Sequence, residues 1–236
     1  MKAISVLFSG GPDSTLAALY ALQKAYRVHL LTFHHKLMTH YKTTSGEEKH
    51  MRVAKELMRK YGSTRVTIFK DWTWKLFRKI YHLKTLGTSF KYRVYCIPWI
   101  CGACKLAMHI KTIEYNSRNN IHVTYDGANK ESASVFPAQS LGYIDVIKRL
   151  YKLHDMSYET PVYNLERTDI MTEDFGLHSC QETKQEHFFF STQHSCFPGA
   201  LVHLHYRFYR IFYTRKSIDE LHRMVLETKI SELGIP

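Results

Sequence analysis

Short apolar runs alternate with amphipathic stretches along most of the chain. Ile4, Val6, Leu7 and Phe8 predict a buried strand over Lys2 to Phe8. A Gly-rich turn follows. Leu16, Leu19, Tyr20 and Leu22, close to helical spacing, then predict a helix from Ser14 to Tyr26. Arg27 to Phe33 reads as a second apolar strand. Met51, Ala54, Leu57 and Met58 share one side of a helix over Glu47 to Tyr61, with Gly62 as its stop. Thr64 to Phe69 reads as a third strand, Trp72 to Tyr81 and Cys101 to Asn116 as helices, and Ile121 to Tyr125 as a fourth strand. Asp126 to Asn129 is a turn, and Ile144 to His154 a helix. Glu159 to Tyr163 is a short fifth strand, which Pro161 assigns to an edge or an end. Arg167 to Phe175 predicts a short helix ended by Gly176. The capping box Ser217-Ile218-Asp219-Glu220 opens a last helix to about Thr228.

Strands that alternate with helices predict an α/β fold, a doubly wound and mostly parallel five-stranded sheet covered on both faces. Beyond Gly176 the composition turns His-, Phe- and Cys-rich. This divides the chain into an α/β domain over 1–176 and a Cys/His-containing helical extension over 177–236 packed on it. The length suits one such unit and can bury a full core. No run of 18 or more uncharged apolar residues occurs, and the N-terminal residues lack the features of a signal peptide. A soluble, cytoplasmic protein with no membrane partner is the expectation.

Charge adds a direction. The chain carries 33 Lys and Arg against 21 Asp and Glu, which favours an anionic partner. No acidic residue occurs from Trp72 to Thr112. That stretch holds Lys75, Arg78, Lys79, Lys84, Lys91, Arg93, Lys105 and Lys111 among Trp72, Trp74, Phe77, Tyr81, Phe90, Tyr92, Tyr95 and Trp99. A second acid-free run, His187 to Ile218, carries Arg207, Arg210, Arg215 and Lys216. Cations neutralise phosphates and aromatic faces stack on bases, so a nucleic-acid face is one reading. An aromatic core with a solvated basic rim is the other.

Ser9-Gly10-Gly11-Pro12-Asp13-Ser14-Thr15 lies between a buried strand and a helix N-terminus. Backbone N–H groups point outward at such a turn, and the helix dipole favours an anion there. Ser9, Ser14 and Thr15 add hydroxyl donors. Asp13 faces phosphates only through a cation, so Mg²⁺ is implied. The spacing is neither GxxxxGK[ST] nor GxGxxG. It resembles the SGGxDS loop of the PP-loop (N-type) ATP pyrophosphatases. The resemblance implies an adenine nucleotide alpha hydrolase-like, HUP-type fold. It also implies ATP held by its pyrophosphate part, adenylation of a carbonyl or carboxylate oxygen, and displacement of AMP by a nucleophile. Further segments are similar to the family. Thr32, Phe33 and His34 end the second strand where the family holds adenine. Asp126, Gly127 and Asn129 resemble its Gly-x-Asn loop facing ATP. Thr160-Pro161-Val162 with Glu166 to Ile170 resembles a later Pro-containing strand and helix start. Simple turn chemistry is the other reading of Asp126 and Asn129.

The chain has five cysteines: Cys96, Cys101, Cys104, Cys180 and Cys196. Clustered thiols in a cytosolic chain point to metal or redox chemistry. Cys96-x4-Cys101-x2-Cys104 brings three soft donors together, suited to zinc or an iron–sulfur cluster. Cys180 and Cys196 each close a His-Ser-Cys triplet, which adds His178 and His194. By resemblance, tRNA thiolation enzymes of the PP-loop superfamily hold a [4Fe-4S] cluster with a CxxC and one later cysteine. Cys101, Cys104 and either Cys180 or Cys196 are similar to that set. The deazaguanine synthases of the superfamily use four clustered C-terminal cysteines for zinc, and the wide Cys180–Cys196 gap departs from that. The 15 histidines, including His35, His40, His50, His203 and His205, receive no catalytic role.

Three readings follow. The first is ATP-dependent base modification, directed at tRNA or another nucleic acid. There Asp13, Ser14, Cys101 and Cys104 carry the chemistry and a sulfur donor feeds the cluster. The second keeps the ATP step on a small substrate, with sulfur or ammonia as nucleophile and a structural zinc. The third is a nucleotide or nucleic-acid binding module without catalysis. A homodimer is left open.

Overall fold

The computed structural model describes residues 2–36, 38–39, 48–82, 96–133, 136–166, 175, 195–196 and 215–234. The elements in chain order are β1 (Ala3–Leu7), α1 (Pro12–Lys24), β2 (Arg27–His34), β3 (Met38–Thr39), α2 (Lys49–Tyr61), β4 (Val66–Trp72), α3 (Trp74–His82), α4 (Cys96–Asn119), β5 (Val123–Asp126), α5 (Lys130–Ala133), a 3₁₀ turn (Pro137–Gln139), α6 (Leu141–Lys152), β6 (Ser157–Glu159), β7 (Ser195–Cys196) and α7 (Arg215–Glu232).

Strands β4, β2, β1, β5 and β6 form one five-stranded sheet in that order. Every neighbouring pair in it is parallel. The expected doubly wound α/β sheet is therefore present. Period-two alternation splits its strands between two cores. Ile4, Val6, Val28, Leu30 and Tyr125 pack with α1 and α2 on one face. Leu7, Leu31 and Phe33 pack on the other face with Met108 and Tyr115 of α4. Residues of α3, α4, α6 and α7 join in a further core that includes Tyr158 of β6. The chain order reverses between β1 and β5, because β2 and β4 lie to one side and β6 to the other. In open α/β sheets ligands bind at the carboxyl ends of strands flanking such a switch point.

Several element ends differ from the sequence expectation. α4 begins at Cys96, five residues before the expected start at Cys101, and includes Pro98. Proline is tolerated in a first helical turn, where its missing N–H would lack a partner anyway. β4 runs to Trp72 rather than Phe69, because its ladder with β2 continues to the His34–Trp72 pair. α6 begins at Leu141 behind Ser140, whose hydroxyl accepts from the Tyr143 N–H. The expected fifth strand is Ser157–Glu159, at the edge of the five-stranded sheet, and Pro161 lies beyond its end. α7 packs on the body through Val225, Leu226 and Ile230. The expected helix over Arg167 to Phe175 lies outside the described residues, apart from Phe175. Among the described residues no helix is long and apolar enough to cross a membrane.

Candidate nucleotide site at the sheet switch point

The loop between β1 and α1 stands at the carboxyl edge of the central strand. Gly10 has φ +74, a conformation L side chains rarely adopt, and an added Cβ would lie 2.6 Å from the His50 Cα. Pro12 occupies the start of α1, and Gly11 at the N-cap brings no capping oxygen. First-turn donors therefore depend on the loop or a ligand. Ser14 organises the loop. Its Oγ lies 3.2 Å from the Ser9 N–H, 3.0 Å from Ser9 Oγ and 3.1 Å from the Gly11 carbonyl. Thr15 is buried and its N–H donates to the Gly11 carbonyl at 2.9 Å.

The loop after β5 docks directly on this turn. Asn129 Nδ2 donates to Asp13 Oδ2 at 2.7 Å, a buried bond spanning 116 residues of sequence. Asn129 is itself held from both sides. Its N–H donates to Gln139 Oε1 at 3.0 Å, and its Oδ1 accepts from the Ser132 N–H at 2.6 Å. Gly127 touches the α1 start so closely that an added Cβ would lie 2.5 Å from the Ser14 N and 2.7 Å from the Asp13 carbonyl carbon. The structure thus brings Asp13, Ser14, Gly127 and Asn129 into one cradle.

Asp126, at the end of β5, turns the other way. Lys105 Nζ lies 2.8 Å from its Oδ2, and the Tyr158 hydroxyl donates to the same atom at 2.6 Å. Burial pushes the Asp126 pKa up, but the Lys105 cation and its hydrogen bond, with His109 and Tyr158, hold it below the usual carboxylate value. Tyr158 and Gln139 were not among the sequence candidates, and Lys105 stood there only among the cations of the acid-free run. The signal for Lys105 was its place directly after Cys104.

Thr32 Oγ1 donates to the Phe8 carbonyl at 2.9 Å, tying the end of β2 to the strand that leads into the Ser9–Thr15 loop. Phe33 is buried with Leu7 and Leu31. The His34 ring lies against those of His50 and Trp72. Cys101 and Cys104 are half-buried on α4, one turn apart. Both bear on Tyr143, whose hydroxyl donates to the Gly102 carbonyl at 3.0 Å. Burial first, then Cys104 and other neighbours, push the Tyr143 pKa well above its ordinary value. Cys96 opens α4, but its side chain lies outside the described residues, as does Cys180. Cys196 belongs to β7, which pairs antiparallel with β3 just beyond β2 and sets Cys196 opposite Met38.

Two rings in this half of the molecule make stability depend on pH. Burial, then Lys105, lower the pKa of His109 to about 3 against an opposing effect of Asp126. Burial lowers that of His35 to about 4. The folded rings stay neutral where the unfolded ones bind a proton, below about pH 6.5. The stabilisation is complete above that pH and is lost as pH falls toward 4. For fully buried His109 the slope is about 1.4 kcal/mol per pH unit, and His35 acts in the same direction. Denaturant titrations from pH 7 to 4.5 should show this loss, and His109→Gln should flatten it. A level parent profile would contradict the assignment.

With a Gly-rich loop latched to the β5 loop at the switch point of a parallel sheet, the chain falls in the PP-loop ATP pyrophosphatase superfamily. Within it, the chain belongs to the family described as queuosine biosynthesis protein QueC, whose sequence profile matches residues 2–203. These are PP-loop ATP pyrophosphatase enzymes. No curated protein gives a match. Among solved structures, the chain is similar to a predicted subunit of a tRNA methyltransferase from Methanocaldococcus jannaschii, at 19% identity over 73% of this chain and 74% of that one, with TM-score 0.40. It is similar to a 4-thiouridine synthetase in complex with RNA and ATP, at 15% identity over 98% and 53%, with TM-score 0.49. It is also similar to the U34-tRNA thiolase NcsA from Methanococcus maripaludis with its [4Fe-4S] cluster, at 14% identity over 96% and 72%, with TM-score 0.44.

Proposed function

We propose that this chain adenylates a carbonyl or carboxylate oxygen of a base-type substrate in tRNA modification and releases pyrophosphate from ATP. The observation that carries the reading is the Asp13–Asn129 bond, which locks the phosphate loop to the β5 loop at the sheet's switch point. ATP phosphates would lie against the Ser9–Thr15 backbone, with the adenine at Thr32 and Phe33. Mg²⁺ would enter with the nucleotide, with Asp13 as the loop's carboxylate for it. The substrate oxygen attacks the α-phosphorus, pyrophosphate leaves, and a nucleophile then displaces AMP. The family description, queuosine biosynthesis, supports a modified nucleoside or its precursor as substrate. So does Trp72, 61% exposed at the carboxyl end of β4, as a surface on which a base can stack.

A second reading adds sulfur as the nucleophile. It rests on Cys101 and Cys104, half-buried thiols one turn apart, immediately before the lysine that reaches Asp126. Two such thiols fit a soft metal centre. With Cys196 or Cys180, and Cys96 at the helix start, they would hold a [4Fe-4S] cluster or a zinc ion. A cluster would hold sulfide delivered by a sulfur donor, whereas a structural zinc would leave sulfur or ammonia as the nucleophile.

The test is pyrophosphate release from ATP with base-type substrates. Ser14→Ala should lower it at least about 100-fold while the thermal midpoint stays within a few degrees of the parent's. Release by Ser14→Ala at the parent rate would overturn the assignment. Anaerobic iron and zinc analysis with an electronic spectrum decides between cluster and zinc, since protein without iron or charge-transfer absorption rules out the cluster.

A further inference from the structure

One group of ligating side chains lies outside both the phosphate loop and the cysteine helix. His34 closes β2, Glu48 immediately precedes α2, and His50 lies in its first turn. One donor atom from each lies within 4.8 Å of the others. His34 and His50 are only 6% and 2% exposed. Their ring centroids are 5.6 Å apart with a 60° tilt. Two imidazoles on one tetrahedral ion, each nitrogen about 2.0–2.1 Å from it, place their centroids about 5 Å apart. Glu48 Oε2 already lies 3.2 Å from His50 Nε2, close to the roughly 3.3 Å that separates two donors on such an ion. The backbone under the site is fixed. The His34 carbonyl accepts from the Thr73 N–H at 3.0 Å and from its Oγ1 at 3.1 Å.

We propose that His34, Glu48 and His50 form a binding site for one divalent first-row transition ion beside the phosphate loop. Two imidazoles and a carboxylate suit zinc, cobalt, iron or nickel and disfavour magnesium and calcium, which take oxygen donors. The ion ties the end of β2 to the first turn of α2, whose backbone packs on Gly10. The His34 ring goes to the ion, and Thr32 and Phe33 remain for the adenine. Lys70 competes, its Nζ lying 2.6 Å from Glu48 Oε2. That side chain is 37% exposed, and an ion displaces it into water. Without an ion, Lys70 Nζ donates to Glu48 Oε2, and that oxygen stands 3.2 Å from His50 Nε2.

Cobalt(II) titration of the full chain separates the two. In the Cys101→Ser/Cys104→Ser background, a visible d–d band should saturate at a single equivalent with no thiolate-to-cobalt band in the near ultraviolet. Glu48→Gln and His50→Asn should each weaken binding by more than the roughly 10–100-fold that an outer-shell change costs. Lys70→Met, which removes only the competitor, should bind cobalt more tightly than its parent, a gain that misfolding cannot produce. No d–d band, or unchanged binding by Glu48→Gln, overturns the site. Pyrophosphate release is read separately, so failure here leaves the adenylation reading standing.

Discussion

Gly127→Ala is expected to cut ATP-dependent pyrophosphate release by about 100-fold or more while the chain still folds. The methyl group would arrive 2.5 Å from the Ser14 N and 2.7 Å from both the Asp13 carbonyl carbon and the Ser14 Cα. All three are main-chain atoms, so no side chain can swing aside. Relief requires the β5 loop and the start of α1 to part by most of an ångström. Overpacking of this kind costs about 1–3 kcal/mol. A displacement of that size at a catalytic site costs on the order of 100-fold in rate. Gly127 is not among the positive-φ glycines, so the effect comes from contact rather than backbone strain. Gly62→Ala supplies the matched control. Gly62 has φ +94 after α2, with a Cβ meeting nothing closer than Thr64 Oγ1 at 3.8 Å. Its strain, about 1–3 kcal/mol, should lower the thermal midpoint comparably and leave release intact. If Gly127→Ala releases pyrophosphate at the parent rate, the two loops do not form one site.

The turn between β1 and α1 was legible in the sequence because its backbone chemistry is local. A buried strand, two glycines, a proline and a helix start lie within about fifteen residues, and each has a backbone meaning of its own. The order of strands was legible only as a class. Alternating strands and helices imply a parallel sheet, but the β4-β2-β1-β5-β6 order comes from packing of the whole chain. Asn129 read equally well as a turn residue until the fold placed it against Asp13, 116 positions away.

Lys105 was the hardest to read. In sequence it is one cation in a long acid-free run, the kind that usually marks a solvated or nucleic-acid-facing surface. In the fold it pairs with Asp126, and so is withdrawn from that surface. His34, Glu48 and His50 were equally opaque, since the chain between His34 and Glu48 gives no metal-ligand spacing. Only the approach of α2 to the end of β2 collects them. The cysteines differ again. Their clustering was visible at once, yet Cys180 and the side chain of Cys96 lie outside the described residues, so their place in a metal centre remains part of the proposal.

Asp126→Asn is expected to destabilise the chain by about 3 kcal/mol or more, because it strands the Lys105 ammonium in a mostly buried site. Asp126 is 6% exposed, and two groups converge on one of its oxygens. For a chain of this size the loss corresponds to a drop of about 6–12 °C in the thermal midpoint. Lys105→Met alone should also destabilise, leaving a buried carboxylate with only the Tyr158 hydroxyl and the neutral His109 near it. The double variant should recover much of the loss, since neither charge then remains without its partner. Strictly additive losses would show that the pair is not coupled. Activity in the same variants separates two roles for Lys105. If the lysine only anchors β5, stability and pyrophosphate release return together in the double variant. If its ammonium also contacts the reacting groups, stability returns and release does not. Lys105 stands directly after Cys104, so the second outcome would place the cysteine helix at the chemistry rather than behind it.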